Sequence, residues 1–280
     1  MLKSNSVNRE SKDRLFKLIF GRPDHKEWTL SLYNAVNGSN YDNPEDIEIT
    51  TIENAVYMGM TNDVSFLVNG TMNLFEHQST YNPNMPVRML IYAGMLYNKY
   101  VENPDRNINL YSSKPMEFPV PKLVCFYNGT DEKEDNITLS LRDLLNNSEA
   151  SDIDVRVTMR NINYGHSEEL LESCRALRDY SLFVEKYRES YRETGNPEQA
   201  VEMAIGALDD DSPIKQFLLD NRAEVTMSVI TEYDEERTMK MFREEWYTEG
   251  KRDAAVRMLE KGIEPDVIEW VTGISVESLK

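Results

Sequence analysis

The chain has 280 residues, 40% hydrophobic and 29% charged, which suits one large domain or a domain with a helical extension. It contains no run of about 18 apolar residues, so a membrane-spanning helix is not expected. Its first residues, MLKSNSVNRESKDR, lack the apolar segment of a secretory signal, so a cytoplasmic protein with no membrane partner is expected.

The net charge of −18 opposes long-range attraction to nucleic acid, but the charge is unevenly spread. Residues 1–128 hold 12 Lys and Arg against 14 Asp and Glu, a net of −2; residues 129–280 hold 19 against 35, a net of −16. The near-neutral first half admits a polyphosphate partner, the more so if bound cations offset its carboxylates. Cys125 and Cys174 sit in apolar or helical contexts and read as buried thiols. With His25, His77 and His166 they lack the spacing of a zinc site.

In chain order, residues 13–20 predict a short helix ended by Gly21 and Pro23. Asp24 precedes Glu27 at capping-box spacing, before a helix that stops at Asn37-Gly38. Residues 47–60 read as an extended strand. Val64–Val68 and Met72–Phe75 flank Asn69-Gly70, the strongest two-residue hairpin signal. Asn84 and Pro86 start a helix to about Val101. Residues 119–127 predict a strand buried on both faces, closed by Asn128-Gly129, and residues 155–162 a further strand. Helices are then expected over 167–193, 197–208, 211–233 and 235–261. The fold class is mixed α/β, with a core over 12–163 and an acidic helical region over 164–280.

The hairpin brings Asp63, at the start of one strand, toward Glu76 and Gln78 at the end of the next. Glu76 and Gln78 are two apart and share a face, and two converging carboxylates suit Mg²⁺. Each residue also has a plainer reading. Asp63 after Asn62 can be a turn or cap residue, and Glu76 a solvated charge. The His77 side chain points to the opposite face, as packing or as support behind the site rather than as a base. Glu27 is explained by its cap, although it could add a carboxylate to the site. Arg88 and Tyr92, four apart on a helix, can be a packed pair or can bring Arg88 to a phosphate. Residues 265–279 have a helix–turn–helix texture with Gly273 at the turn, but the second helix offers Lys280 alone as a base. That segment is assigned to packing or self-association, as in a homodimer.

Three strands, a helix and a buried strand, with Asp63 on the second strand and Glu76-His77-Gln78 on the third, resemble the restriction-endonuclease-like PD-(D/E)xK core. More narrowly, NDVSFLV, FEHQST followed by NPNMPVRMLIY, VCFYNG, LESCRALRDYS and FLLDNRAEV resemble the Rpn family of recombination-promoting nucleases and transposase-like proteins. The resemblance implies a DNA endonuclease in which Asp63, Glu76 and the backbone carbonyl of His77 hold Mg²⁺, with Mn²⁺ or Ca²⁺ as substitutes. Gln78 then orients the attacking water. Gln78 stands where the superfamily has lysine, and the Rpn-like proteins also read Glu-x-Gln there. A different class of reading is a nuclease-fold interaction protein that acts through its acidic helical half.

Overall fold

In the computed structural model, which describes residues 15–51 and 62–279, Asn69 and Gly70 both have positive φ, 47° and 73°. They join β2 (Val64–Val68) to β3 (Thr71–Gln78) as an antiparallel hairpin in the expected register, with Val68 opposite Thr71 and Val64 opposite Phe75. With β1 (Glu48–Ile49), β4 (Val120–Tyr127), β5 (Asn136–Ser140) and β6 (Arg156–Asn161) the hairpin forms a mixed six-stranded sheet, in the order β1-β2-β3-β4-β6-β5. β3, β4 and β6 run parallel, and β1 and β5 close the edges antiparallel. Of the strand expected over 47–60, residues 52–60 lie outside the described residues, and so does Thr61.

The helices sort onto the two faces by strand alternation. On one face Met72, Leu74, Cys125, Tyr127 and Met159 pack against Met85, Met89, Tyr92 and Leu96 of α3 (Met85–Glu102). On the other, Val64, Phe66, Phe75, Val124 and Phe126 meet α1 (Leu15–Phe20), α2 (Lys26–Asn37), α5 (Arg175–Thr194) and α6 (Pro197–Gly206). Fully burying each such aliphatic or aromatic side chain contributes about 1.5–3 kcal/mol, so the alternation fixes the register of the hairpin.

Helical residues beyond 163 supply part of this core. Tyr180, Phe183 and Ala200 join it, as do Phe217 and Leu218 of α7 (Lys215–Asp220) and Val225 and Val229 of α8 (Arg222–Glu260). The chain divides into compact units at 232/233, and helices from both sides of residue 163 pack within the first of them.

Several element boundaries differ from expectation. The helix expected over 167–193 is broken at Cys174, which adopts an extended conformation (φ −133°, ψ 94°) between α4 (Glu168–Ser173) and α5. The helices expected over 211–233 and 235–261 are instead broken at Asn221 and continuous through residue 234. β4 is buried only from Val124 onward, its first three residues being exposed. The capping box is absent: Asp24 lies in a 3-10 turn (Pro23–His25), and His25 is the N-cap of α2 without a side-chain cap bond.

The second unit, from Tyr233, holds the remainder of α8 and α9 (Pro265–Thr272), which ends at Gly273 with φ 69°. A 3-10 turn, Val276–Leu279, takes the place of a second helix, so the helix–turn–helix texture is not realised. Among the described residues no helix is long and apolar enough to cross a membrane.

Candidate metal centre at the open end of the hairpin

β2 begins one residue after Asp63, and β3 ends at Gln78, so the hairpin opens where the sequence places its carboxylates. Just beyond the last ladder pair the Asp63 carboxylate accepts a hydrogen bond from the His77 backbone amide (2.7 Å). Reciprocally, the Asp63 amide donates to Glu76 Oε1 (3.0 Å). Each carboxylate is thus tied to the other strand, and both are buried, Asp63 at 9% and Glu76 at 1% exposure.

The strand direction of β3 settles which groups face the site. Asn128 donates its amide to the Gln78 carbonyl (3.0 Å), so the backbone polar groups of Gln78 point at β4. Those of the preceding residue, His77, therefore point toward Asp63, which puts the His77 carbonyl on the Asp63 side of the strand. The His77 side chain goes to the opposite face, as expected. It is fully buried, stacks on Phe16 (ring centroids 5.3 Å apart), and lies 2.9 Å from the Tyr180 hydroxyl through Nε2.

Glu76 and Gln78 share the α3 face. Arg88, in the first turns of α3, donates to Glu76 Oε2 (3.0 Å) and to the Tyr92 hydroxyl (3.0 Å), and its guanidinium lies over the Tyr92 ring at 5.7 Å. Burial lowers the affinity of Arg88 for its proton, but Glu76 and Tyr92 outweigh it and hold the pKa above the ordinary arginine value. Burial, and after it the charge of Glu76, raise the Tyr92 hydroxyl above the ordinary tyrosine value. Both groups therefore keep their protons at neutral pH. Gln78 is buried, and its Oε1 has no hydrogen-bond partner among the described residues, a condition that costs about 1–3 kcal/mol.

The structure thus brings together Asp63, Glu76, Gln78 and Arg88, with the carbonyl of His77 beside them. Glu27 is exposed and contacts His25 (3.5 Å), apart from this set. Asn128 is structural: Arg188 donates to its carbonyl (2.6 Å), and the next residue, Gly129, runs so close to β3 that a Cβ there would lie 2.3 Å from the Ser79 carbonyl oxygen. Sequence reasoning missed Tyr180 and Arg188; the first was legible only as an apolar position in LESCRALRDYS.

The candidate donor set is entirely oxygen, two carboxylates and a strand carbonyl, which is the chemistry a hard divalent cation takes. Among the described residues no group of three or more His, Cys, Asp and Glu could hold a metal, so further ligands would have to be carbonyl, amide, water or substrate oxygens. A cavity of about 300 Å³ lies elsewhere, nearer the hairpin turn, lined by Leu67, Met72, Leu96, Tyr100 and the paired Arg106 and Glu48. A protein-family scan finds no model that matches this chain, and searches of curated proteins and of solved structures find no match.

Proposed function

We propose that this protein is a metal-dependent DNA endonuclease of the restriction-endonuclease-like, PD-(D/E)xK type, close in character to the Rpn nucleases. The observation that carries the reading is the pair of buried carboxylates, Asp63 and Glu76, interlocked at the open end of the hairpin with Gln78 on the same face. Asp63 and Glu76 would offer a cation two acidic oxygen donors in a buried setting, where a charge calls for a paired or coordinating partner. The order of strand pair, helix α3 and parallel strand β4 around them supports the same fold-level reading.

A divalent cation bound there supplies Lewis-acid polarisation of the scissile phosphate and eases deprotonation of the attacking water. The chain supplies the rest. Asp63 and Glu76 would hold the cation, with the His77 carbonyl as a third oxygen. The Gln78 amide has a donor and an acceptor with which to orient a water in line with the phosphate. DNA is the substrate that the resemblance and the near-neutral first half of the chain favour.

The test is cleavage of supercoiled plasmid in Mg²⁺ with and without EDTA, in parallel with Asp63→Asn and Glu76→Gln. Nicking that needs the metal and disappears in both variants is expected. Activity that survives both in folded protein overturns the reading. The rival, a nuclease-fold interaction protein, draws on the Arg88–Glu76 pair, which already half-neutralises the site without metal. It would show tight partner binding with no calorimetric response to Mg²⁺.

A further inference from the structure

We propose that Arg88 is the exchangeable counter-ion of this site: it neutralises Glu76 while the cation is absent and turns to a nucleic-acid phosphate when the cation arrives. The inference rests on the nuclease reading above and concerns what the guanidinium does within it. Three observations support it.

First, Arg88 and a cation would compete for the same group. The guanidinium donates to Glu76 Oε2 at 3.0 Å, while Oε1 is held by the Asp63 amide at 3.0 Å. A metal held by Asp63 and Glu76 would add positive charge beside the guanidinium, and repulsion between the two would favour its departure.

Second, Arg88 has somewhere to go without leaving the site. Its second bond is to the Tyr92 hydroxyl (3.0 Å), one helical turn along α3, and its guanidinium lies over that ring. Released from Glu76, it keeps the Tyr92 tether. Its side chain is 28% exposed where that of Glu76 is 2%, so solvent and a polyanion reach the guanidinium although they scarcely reach the carboxylate.

Third, the guanidinium suits the second partner as well as the first. Its planar fork matches a phosphate as it matches a carboxylate, and it stays charged throughout. Metal binding and substrate binding are thereby linked: each cation that enters frees one cation for the backbone of the nucleic acid.

The experiment uses the full chain and Arg88→Met, with Arg88→Gln, which keeps a neutral donor toward Glu76, read in its place if circular dichroism shows the first to be unfolded. Calorimetric titration with Mg²⁺ in the absence of DNA is expected to give about tenfold tighter binding in the variant, the factor that corresponds to losing one competing charge-assisted bond. DNA binding with Ca²⁺ in place of Mg²⁺ is expected to weaken, and the slope of log affinity against log salt to fall in magnitude by about 0.9, one phosphate contact. In the unaltered chain, the Arg88 guanidinium NMR signals should shift along the same Mg²⁺ saturation curve, a result that needs no variant. Metal affinity unchanged or weakened in the variant, or guanidinium signals that ignore Mg²⁺, overturns the proposal while the nuclease reading stands. If the unaltered chain binds no divalent cation, or Asp63→Asn leaves that binding unchanged, the reading and the proposal both fall.

Discussion

The Tyr180 hydroxyl on α5 lies 2.9 Å from Nε2 of His77 on β3, the residue whose amide holds Asp63. A helix beyond residue 163 is thereby fastened to the strand that carries the site. Tyr180→Phe removes this bond in a fully buried setting, so a loss of about 1–3 kcal/mol in unfolding free energy is expected from urea denaturation. Because Phe keeps the ring packing on Phe16 and Phe20, the native near-ultraviolet dichroism should persist.

Arg88 meets the charge of Glu76, while Asp63 is tied to β3 through the His77 amide. Asp63→Asn retains an acceptor for the His77 amide, so it is expected to keep the metal-free melting temperature within a few degrees of the parent while lowering cleavage by about 100-fold or more. Asp63→Ala loses the acceptor as well and should be less stable than Asp63→Asn by about 1–2 kcal/mol. Thermal melts of both, without metal, decide the point; an Asn variant less stable than the Ala variant would contradict it.

Gln78→Ala removes the amide and is expected to slow cleavage by about 10–100-fold with Mg²⁺ affinity little changed, a split between rate and binding that plasmid assays and calorimetry can read.

Tyr92 gives a pH dependence with a definite sign. Its folded-state pKa is raised by burial and by Glu76, so the unfolded chain loses this proton first as pH rises above about 10. Its contribution is complete below that pH and is lost on the alkaline side. Stability measured between pH 9 and 11 should therefore fall more steeply in the unaltered chain than in Tyr92→Phe.

Gly129→Ala is expected to cost about 1–3 kcal/mol, since its Cβ would press on the backbone carbonyl of Ser79 rather than on the flexible end of a side chain. A chemical-denaturation midpoint unchanged from the parent would refute this.

The hairpin was legible because its signals are local: Asn-Gly dictates positive φ at two adjacent residues, and alternation dictates the faces. β5 was not legible, because an edge strand in a polar stretch contributes little more than Leu139 to the core. The break at Cys174 was also silent. No Gly or Pro marks it, and the extended conformation places a buried thiol in the core between two helices. Residues 233–235 look like a helix end by polarity yet contain no breaker, so α8 runs through them. Within the site, spacing brought Asp63, Glu76 and Gln78 together. It offered Arg88 either a packed pair with Tyr92 or a phosphate, and did not foresee the carboxylate that it holds.

The interlock of Asp63 and Glu76 has a consequence for descent. Each carboxylate is at once a prospective ligand and a clasp between strands, and an amide in its place can keep the clasp while giving up the ligand charge. Under the proposed function, a lineage could therefore shed its chemistry in one exchange and retain its shape for another use. Working and silent relatives of this protein would then be told apart at positions 63 and 76, whatever the rest of their architecture has in common.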